Sequence, residues 1–464
     1  MPETHVIAGF VAQQTMFFGV AHTSSRRTAI VTNEMCAASL AECMFLMHSK
    51  ATAGGSMSNR KWRVLILVLA TVVFCLEVGG AVPELSLREA ADKSGVLVGT
   101  AVRPAQLSEP EYASTLAREF NMLEPEDVLK WETVHPQRQS FDFSQPDRLI
   151  DFAAAHGMKV RGHTLVWHQQ NPKWLTDGNF SSEELAQILK NHIKTVVGHY
   201  RGKIFAWDVV NEAFDELHPV SLRKTIWSVP QVRARTVGAN LGPIKESVGE
   251  SEKESAKESE KRSENETAKD SEKRSAKDSE RPSQPAYFYI EQAFRWAHEA
   301  DPAALLFYNE AEANVVNPKS DAVYAMVQDF RRRGVPINGV GLQMHIANLQ
   351  TDVSSISANI QRFTELGVQV HITEMDVALP VNPSGDAHPE DLQRQADLYR
   401  EIAAACLSHP GCTAVQTWGF TDKYSWIGSH SKHTKGAALL FDGHYQPKPA
   451  YRALRNALLD GKRR

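Results

Sequence analysis

From residue 95 onward, short apolar runs rich in β-branched residues alternate with longer stretches whose apolar positions recur every three or four residues. The short runs predict strands at 96–102, 121–123, 159–167, 204–212, 304–308, 339–345, 368–374 and 414–418. The longer stretches predict helices, among them 149–156, 183–200, 289–299, 322–332, 356–366 and 392–406. Strict alternation needs crossover connections and so parallel strands, and eight such units favour closure over an open sheet. The predicted fold class is therefore α/β, a (β/α)8 TIM barrel over residues 95–460.

One segment breaks the pattern. From residue 249 to 282 the only apolar side chains are Ala256, Ala268 and Ala276, set among quasi-repeats of Lys, Asp, Ser and Glu. Oppositely charged residues three apart (Glu254 with Lys257, Asp270 with Lys273) support a helix, while like charges four apart (Lys253 with Lys257) oppose it. With nothing to bury, residues 244–285 are expected to form a solvated, low-complexity insertion in the loop after strand four.

Upstream, Asn59-Arg-Lys-Trp-Arg63 precedes an apolar stretch at 64–76 that only Thr71 interrupts, and Gly79-Gly-Ala81 follows. A basic flank, a short apolar core and small residues form the pattern of a secretory signal peptide at 57–81. The stretch is short for a bilayer span, although an uncleaved anchor is the competing reading. Residues 1–56 then form a disordered upstream extension, and the mature chain is expected to be secreted, extracellular, free of the membrane and monomeric. Cys36, Cys43 and Cys75 fall ahead of the mature chain, which keeps Cys406 and Cys412. The intervening Pro410-Gly411 lets the chain double back, so these two either close a local disulfide or stand as ordinary buried thiols. A net charge of -4 gives no basic stripe for nucleic acid. The histidines lack His-Glu-x-x-His or Cys/His ligand spacing, so neither metal nor organic cofactor is expected.

Candidate chemistry sits at the strand ends. Glu212 closes the run Phe205-Ala-Trp-Asp-Val-Val-Asn-Glu and Glu374 closes Val368-Gln-Val-His-Ile-Thr-Glu, at the rim where barrel enzymes place reacting groups. A lone carboxylate there usually just faces water. Here the surrounding strand ends carry Trp, His, Gln and Asn, which suit the apolar faces and the hydroxyls of sugar rings. Alternation along the strands predicts that Ala206, Asp208 and Val210 share the face of Glu212, and that Val368, Val370 and Ile372 share that of Glu374. Both carboxylates would then end similar apolar tracks.

Four segments carry a resemblance: Trp207-Asp-Val-Val-Asn-Glu-Ala213, Ile372-Thr-Glu-Met-Asp376, Arg161-Gly-His-Thr-Leu-Val-Trp-His168 and Trp418-Gly-Phe-Thr-Asp-Lys-Tyr-Ser-Trp426. In this order they resemble glycoside hydrolase family 10, the endo-β-1,4-xylanases. The resemblance implies hydrolysis of internal β-1,4-xylosidic bonds with retention, xylan and xylo-oligosaccharides being the substrates. It makes Glu212 the general acid/base and Glu374 the nucleophile, with Asn211 at the sugar 2-hydroxyl, His345 beside the nucleophile, and Gln343 and Asp376 in support. Lys130, His163, Trp167, Trp418 and Trp426 match positions lining the subsites on the non-reducing side, and Glu126 one that grips the more distal sugar. It also implies that Cys406 and Cys412 are paired. A β-glycosidase for another β-1,4-linked glycan and a non-catalytic carbohydrate-binding barrel are the competing readings.

The resemblance sets two further expectations. Repulsion from an ionised Glu374 is expected to hold Glu212 protonated before the first step. The departures from the family, Glu124, Asp127 and Leu129 within Glu124-Pro-Glu-Asp-Val-Leu-Lys-Trp131 and the segment Tyr308-Asn-Glu-Ala-Glu312, are not expected to touch the two glutamates.

Overall fold

The computed structural model of the protein describes residues 84–217, 219–228 and 287–461. The expected extension at 1–56, leader at 57–81 and charged insertion at 244–285 lie outside the described residues. Among those described, no helix is long and apolar enough to cross a membrane.

Eight strands form the barrel: β1 (Leu97–Val102), β2 (Met122–Pro125), β3 (Lys159–Gly162), β4 (Ala206–Asn211), β5 (Leu305–Glu310), β6 (Gly339–Leu342), β7 (Gln369–Val377) and β8 (Cys412–Thr417). All are parallel, each pairs with the next, and β8 closes the cylinder by pairing with β1. Helix α1 (Leu87–Ser94) precedes β1. Between strands lie α2 (Pro110–Glu119), α3 (Ser144–Ala155), α4 (Ser182–His199), α5 (Phe288–Ala300), α6 (Pro318–Arg332), α7 (Val353–Glu365) and α8 (Pro389–Ser408), and α9 (Pro449–Asp460) follows β8. The eight expected strands and six expected helices are all present.

Local sequence explains where the helices begin. Ser181 accepts the Glu184 N–H while the Glu184 side chain returns to the Ser181 N–H, a capping box that starts α4. Leu185, Leu189, Ile193 and Val197 then form its buried stripe. Asn317 caps α6 with Pro318 in the first turn, where a missing N–H is harmless. Helices α1, α2 and α9 were not among the stretches expected. Two of them open on a proline, and a single stripe such as Ala450, Leu454 and Leu458 is buried in α9.

The strand ends differ most from expectation. β3 stops at Gly162 rather than running to residue 167, and the His163–Thr164 peptide bond that follows is cis. Gly162 permits close packing on β4, because a Cβ there would lie 2.3 Å from the Trp207 ring. β6 stops at Leu342. Met344 then adopts a φ of 66°, and His345 pairs in register with Asp376 of β7.

Simple alternation fails at both glutamates. Against β5, a register shift between Asp208 and Val210 leaves an extra residue in β4. Asp208 and Asn211 both turn inward as a result, Asp208 to Arg161 and Asn211 to Asn309. Against β8, β7 spends three steps from Ile372 to Met375 where its partner spends two. His371, Thr373 and Glu374 accordingly all reach partners across the interior, Arg161 for the first and Asn309 for the other two. The expected apolar tracks are thus replaced by polar ones, and the bulges bring the carboxylates inward.

Candidate active site

Glu212 directly follows β4 with a φ of 54°, an uncommon conformation for a residue with a Cβ. Its N–H donates to the Asn309 carbonyl at 3.0 Å. Its carboxylate accepts from Trp167 Nε1 at 2.9 Å, Gln343 Nε2 at 2.8 Å and Asn211 Nδ2 at 3.1 Å. Glu374 is 4% exposed and accepts from Asn309 Nδ2 at 2.7 Å, with His345 Nε2 3.0 Å away. The same Asn309 amide lies 2.9 Å from Asn211 Oδ1, so a pair of asparagines ties the two carboxylates into one network.

His345 stands between two acids, its Nε2 on Glu374 and its Nδ1 2.9 Å from Asp376. Burial favours the neutral ring, but Asp376 and then Glu374 outweigh it and lift the imidazole to about 10. At neutral pH the ring is therefore a cation set between the Glu374 and Asp376 side chains. Trp426 Nε1 donates to the same Asp376 oxygen at 2.9 Å, which fixes the carboxylate that orients His345.

Glu212 does not follow the expected charge pattern. Burial raises its carboxyl most, yet the N–H donors Gln343 and Trp167, with His168 and His163 nearby, together hold it below the ordinary glutamate value. Repulsion from Glu374 therefore does not keep Glu212 protonated in the open site.

Indole and imidazole rings surround this centre. The Lys130 ammonium lies 4.8 Å from the Trp167 ring centre and 5.6 Å from that of Trp418. Trp418 meets His163 edge-on at 5.3 Å, and Trp426 lies 5.1 Å from His345. Burial depresses the Lys130 ammonium, with Glu374 and Glu126 opposing. Glu126 sits farther out, just past β2, paired with Arg103 at 2.6 Å. Asp127, from the same departing segment, also faces Arg103 at 3.6 Å.

Beneath the site lies a buried polar plug. The Arg161 guanidinium pairs closely with Asp208 and donates to His371 Nδ1 at 2.7 Å. His163 Nδ1 lies 3.0 Å from Asp208 and 3.3 Å from Glu124. Burial and then Asp208 push the Glu124 carboxyl well up, which makes it an acid that can share hydrogen bonds with its neighbours. Glu124, His163 and Asp208 have ligand atoms within 4.8 Å of one another, but the paired guanidinium already supplies the positive charge there.

The structure brings Glu212, Glu374, Asn211, Gln343, His345, Asp376, Trp167 and Trp426 into one connected network, with Lys130, His163 and Trp418 around it and Glu126 at its margin. Trp167 is nearer the chemistry than expected, since it donates to Glu212 itself. The expectation for Tyr308-Asn-Glu-Ala-Glu312 is overturned, because Asn309 bonds Glu374 directly. Its signal was present: a polar residue just after an apolar run, the feature that singled out Glu212. Gly341 makes room for it, as a Cβ there would lie 2.1 Å from Asn309 Oδ1. Away from the rim, Cys406 and Cys412 form a disulfide that joins α8 to β8.

The profile of glycosyl hydrolase family 10 matches residues 86–231 and 264–457. An endo-1,4-beta-xylanase B from Thermotoga neapolitana is 37% identical over 394 residues, covering 84% of this chain and 96% of its own. A beta-1,4-xylanase from Dictyoglomus thermophilum is 35% identical over 407 residues, covering 85% and 98%. Among solved structures, xylanase 10B from Thermotoga petrophila RKU-1 in complex with xylobiose superposes with a TM-score of 0.67 at 36% identity, covering 82% of this chain and 99% of its own.

Proposed function

The chain belongs to glycosyl hydrolase family 10 and is a retaining endo-1,4-β-xylanase, and on that premise we propose how its residues divide the work. Glu374 attacks the anomeric carbon while Glu212 gives its proton to the glycosidic oxygen, and the reducing-end fragment departs. Glu212, now a carboxylate, takes a proton from water as that water attacks the same carbon and frees Glu374. The observation that carries this reading is the asparagine bridge, with Asn309 2.7 Å from Glu374 and 2.9 Å from Asn211, which itself donates to Glu212.

The low proton affinity of Glu212 in the open site gives substrate binding a task. A sugar chain laid across Trp167 and Trp418 excludes water from Glu212, and desolvation favours its neutral, acidic form. Lys130, His163, Trp167, Trp418 and Trp426 serve the non-reducing side, and Glu126 grips the more distal sugar. We also propose export of the chain by the leader at 57–81 and action as a monomer; a disulfide at Cys406 and Cys412 suits an oxidising compartment.

Release of reducing ends from xylan, compared with carboxymethyl cellulose, tests the substrate. Rapid release from xylan alone is expected. Preference for the cellulose derivative would make the chain a glycosidase for another glycan, and inertness on both would leave only a carbohydrate-binding barrel.

A further inference from the structure

We propose that Tyr308 and Glu310, at the end of β5, are positioning residues for Glu212, acting on the backbone of Ala213 and Phe214 rather than on its carboxyl. The proposal rests on Glu212 being the acid/base. Tyr308 and Glu310 are both 0% exposed. The Tyr308 hydroxyl accepts the Ala213 N–H at 3.0 Å and donates in turn to Glu310 Oε2 in a short hydrogen bond. The same Oε2 accepts the Phe214 N–H at 3.3 Å. Two consecutive peptide groups just after Glu212 are thereby held by one hydroxyl and one carboxylate.

A carboxyl this deep is an inefficient way to add stability, because burial lifts it to about 7 against the pull of Lys319 and Tyr308 and offsets the attraction of the pair. Lys319 Nζ stands 3.1 Å from Glu310 Oε1 and 3.3 Å from Glu216, and Arg223 pairs with Glu216 while its Nε lies 3.4 Å from the Glu212 carbonyl. These groups converge on a single turn. That turn needs fixing, because Glu212 holds a φ of 54° that a residue with a Cβ does not favour. Released from its clamp, the turn can relax toward ordinary backbone angles and swing the carboxyl away from the glycosidic oxygen.

Tyr308→Phe removes only the oxygen that holds the Ala213 N–H, and Glu310→Gln replaces the carboxyl behind it with an amide. Both are tested on aryl β-xylobiosides whose phenol leaving groups span a range of acidity, with Glu212→Ala as reference. A misaimed acid matters most where the leaving group needs a proton. We expect kcat/KM to fall by between about ten- and a hundredfold on the least acidic phenols, the scale of a small misplacement, with KM nearly unchanged there, and little loss of kcat/KM on the most acidic. Equal loss along the series, as a merely structural role would give, or no loss in Tyr308→Phe, overturns the proposal. If Glu212→Ala shows the leaving-group dependence and Tyr308→Phe does not, the clamp alone fails; if Glu212→Ala lacks it, the acid/base assignment fails and the clamp with it.

Discussion

Replacing Glu374 by alanine is expected to lower kcat on xylan by on the order of 10⁵ to 10⁶, the scale on which loss of a covalent nucleophile acts. The reason lies in what surrounds it. Asn309 and His345 both direct donors at the Glu374 carboxylate, and Asp376 with Trp426 fixes His345 from behind. All of this machinery serves an anion at one point, and no neighbouring group can replace it in the same direction. A glutamine tests the electrostatics separately. Its amide Oε1 can still accept from Asn309, but its NH2 then meets a protonated His345 Nε2, donor against donor. The imidazole, lifted to about 10 by Asp376 and Glu374 together, should fall toward its ordinary value in Glu374→Gln. An NMR titration of His345 in the two proteins measures this, and an unchanged midpoint would show that Glu374 contributes little to the pair.

Removing Glu212 should have a second, different signature. On xylan, whose sugar leaving group must be protonated, Glu212→Ala is expected to lose between about 10² and 10⁴ in kcat, the usual range for a general acid. On an aryl xylobioside with an acidic phenol the first step should survive, so the phenol is released in a burst and the second step becomes limiting because no base activates water. Azide, a small anion that needs no base, should then restore turnover by taking the place of water. Equal losses on activated and unactivated substrates, without burst or rescue, would remove Glu212 from this role.

The barrel was legible because its cause is repetitive. Eight β-branched runs separated by helical stripes leave little choice of architecture, and the two glutamates stood out as charged ends to apolar runs. Geometry within those runs was not legible. Alternation assigns Val370 and Ile372 to the face of Glu374, whereas an extra residue in β7 before Met375 reverses the parity at the very end. Nothing in the identity of Ile372 or Thr373 announces a bulge, because it arises from pairing with β8. The same holds at Asp208 and Val210 in β4. Glu212 illustrates a different limit: its proton affinity depends on Gln343 and Trp167, from β6 and β3 neighbourhoods more than forty positions away on either side. Charge alone predicted the opposite direction.

The catalytic pair itself is tested most directly by trapping the covalent intermediate. A 2-fluoro xylobioside with a strongly acidic leaving group should glycosylate the enzyme and then stall, since the fluorine slows both steps while the leaving group speeds only the first. Mass spectrometry of the digested protein is expected to find the fluoroxylobiosyl group on the peptide containing Glu374, at that side chain, and to find none in Glu374→Ala. Attachment at Glu212 or elsewhere, or turnover without any adduct, would contradict the division of roles between the two glutamates.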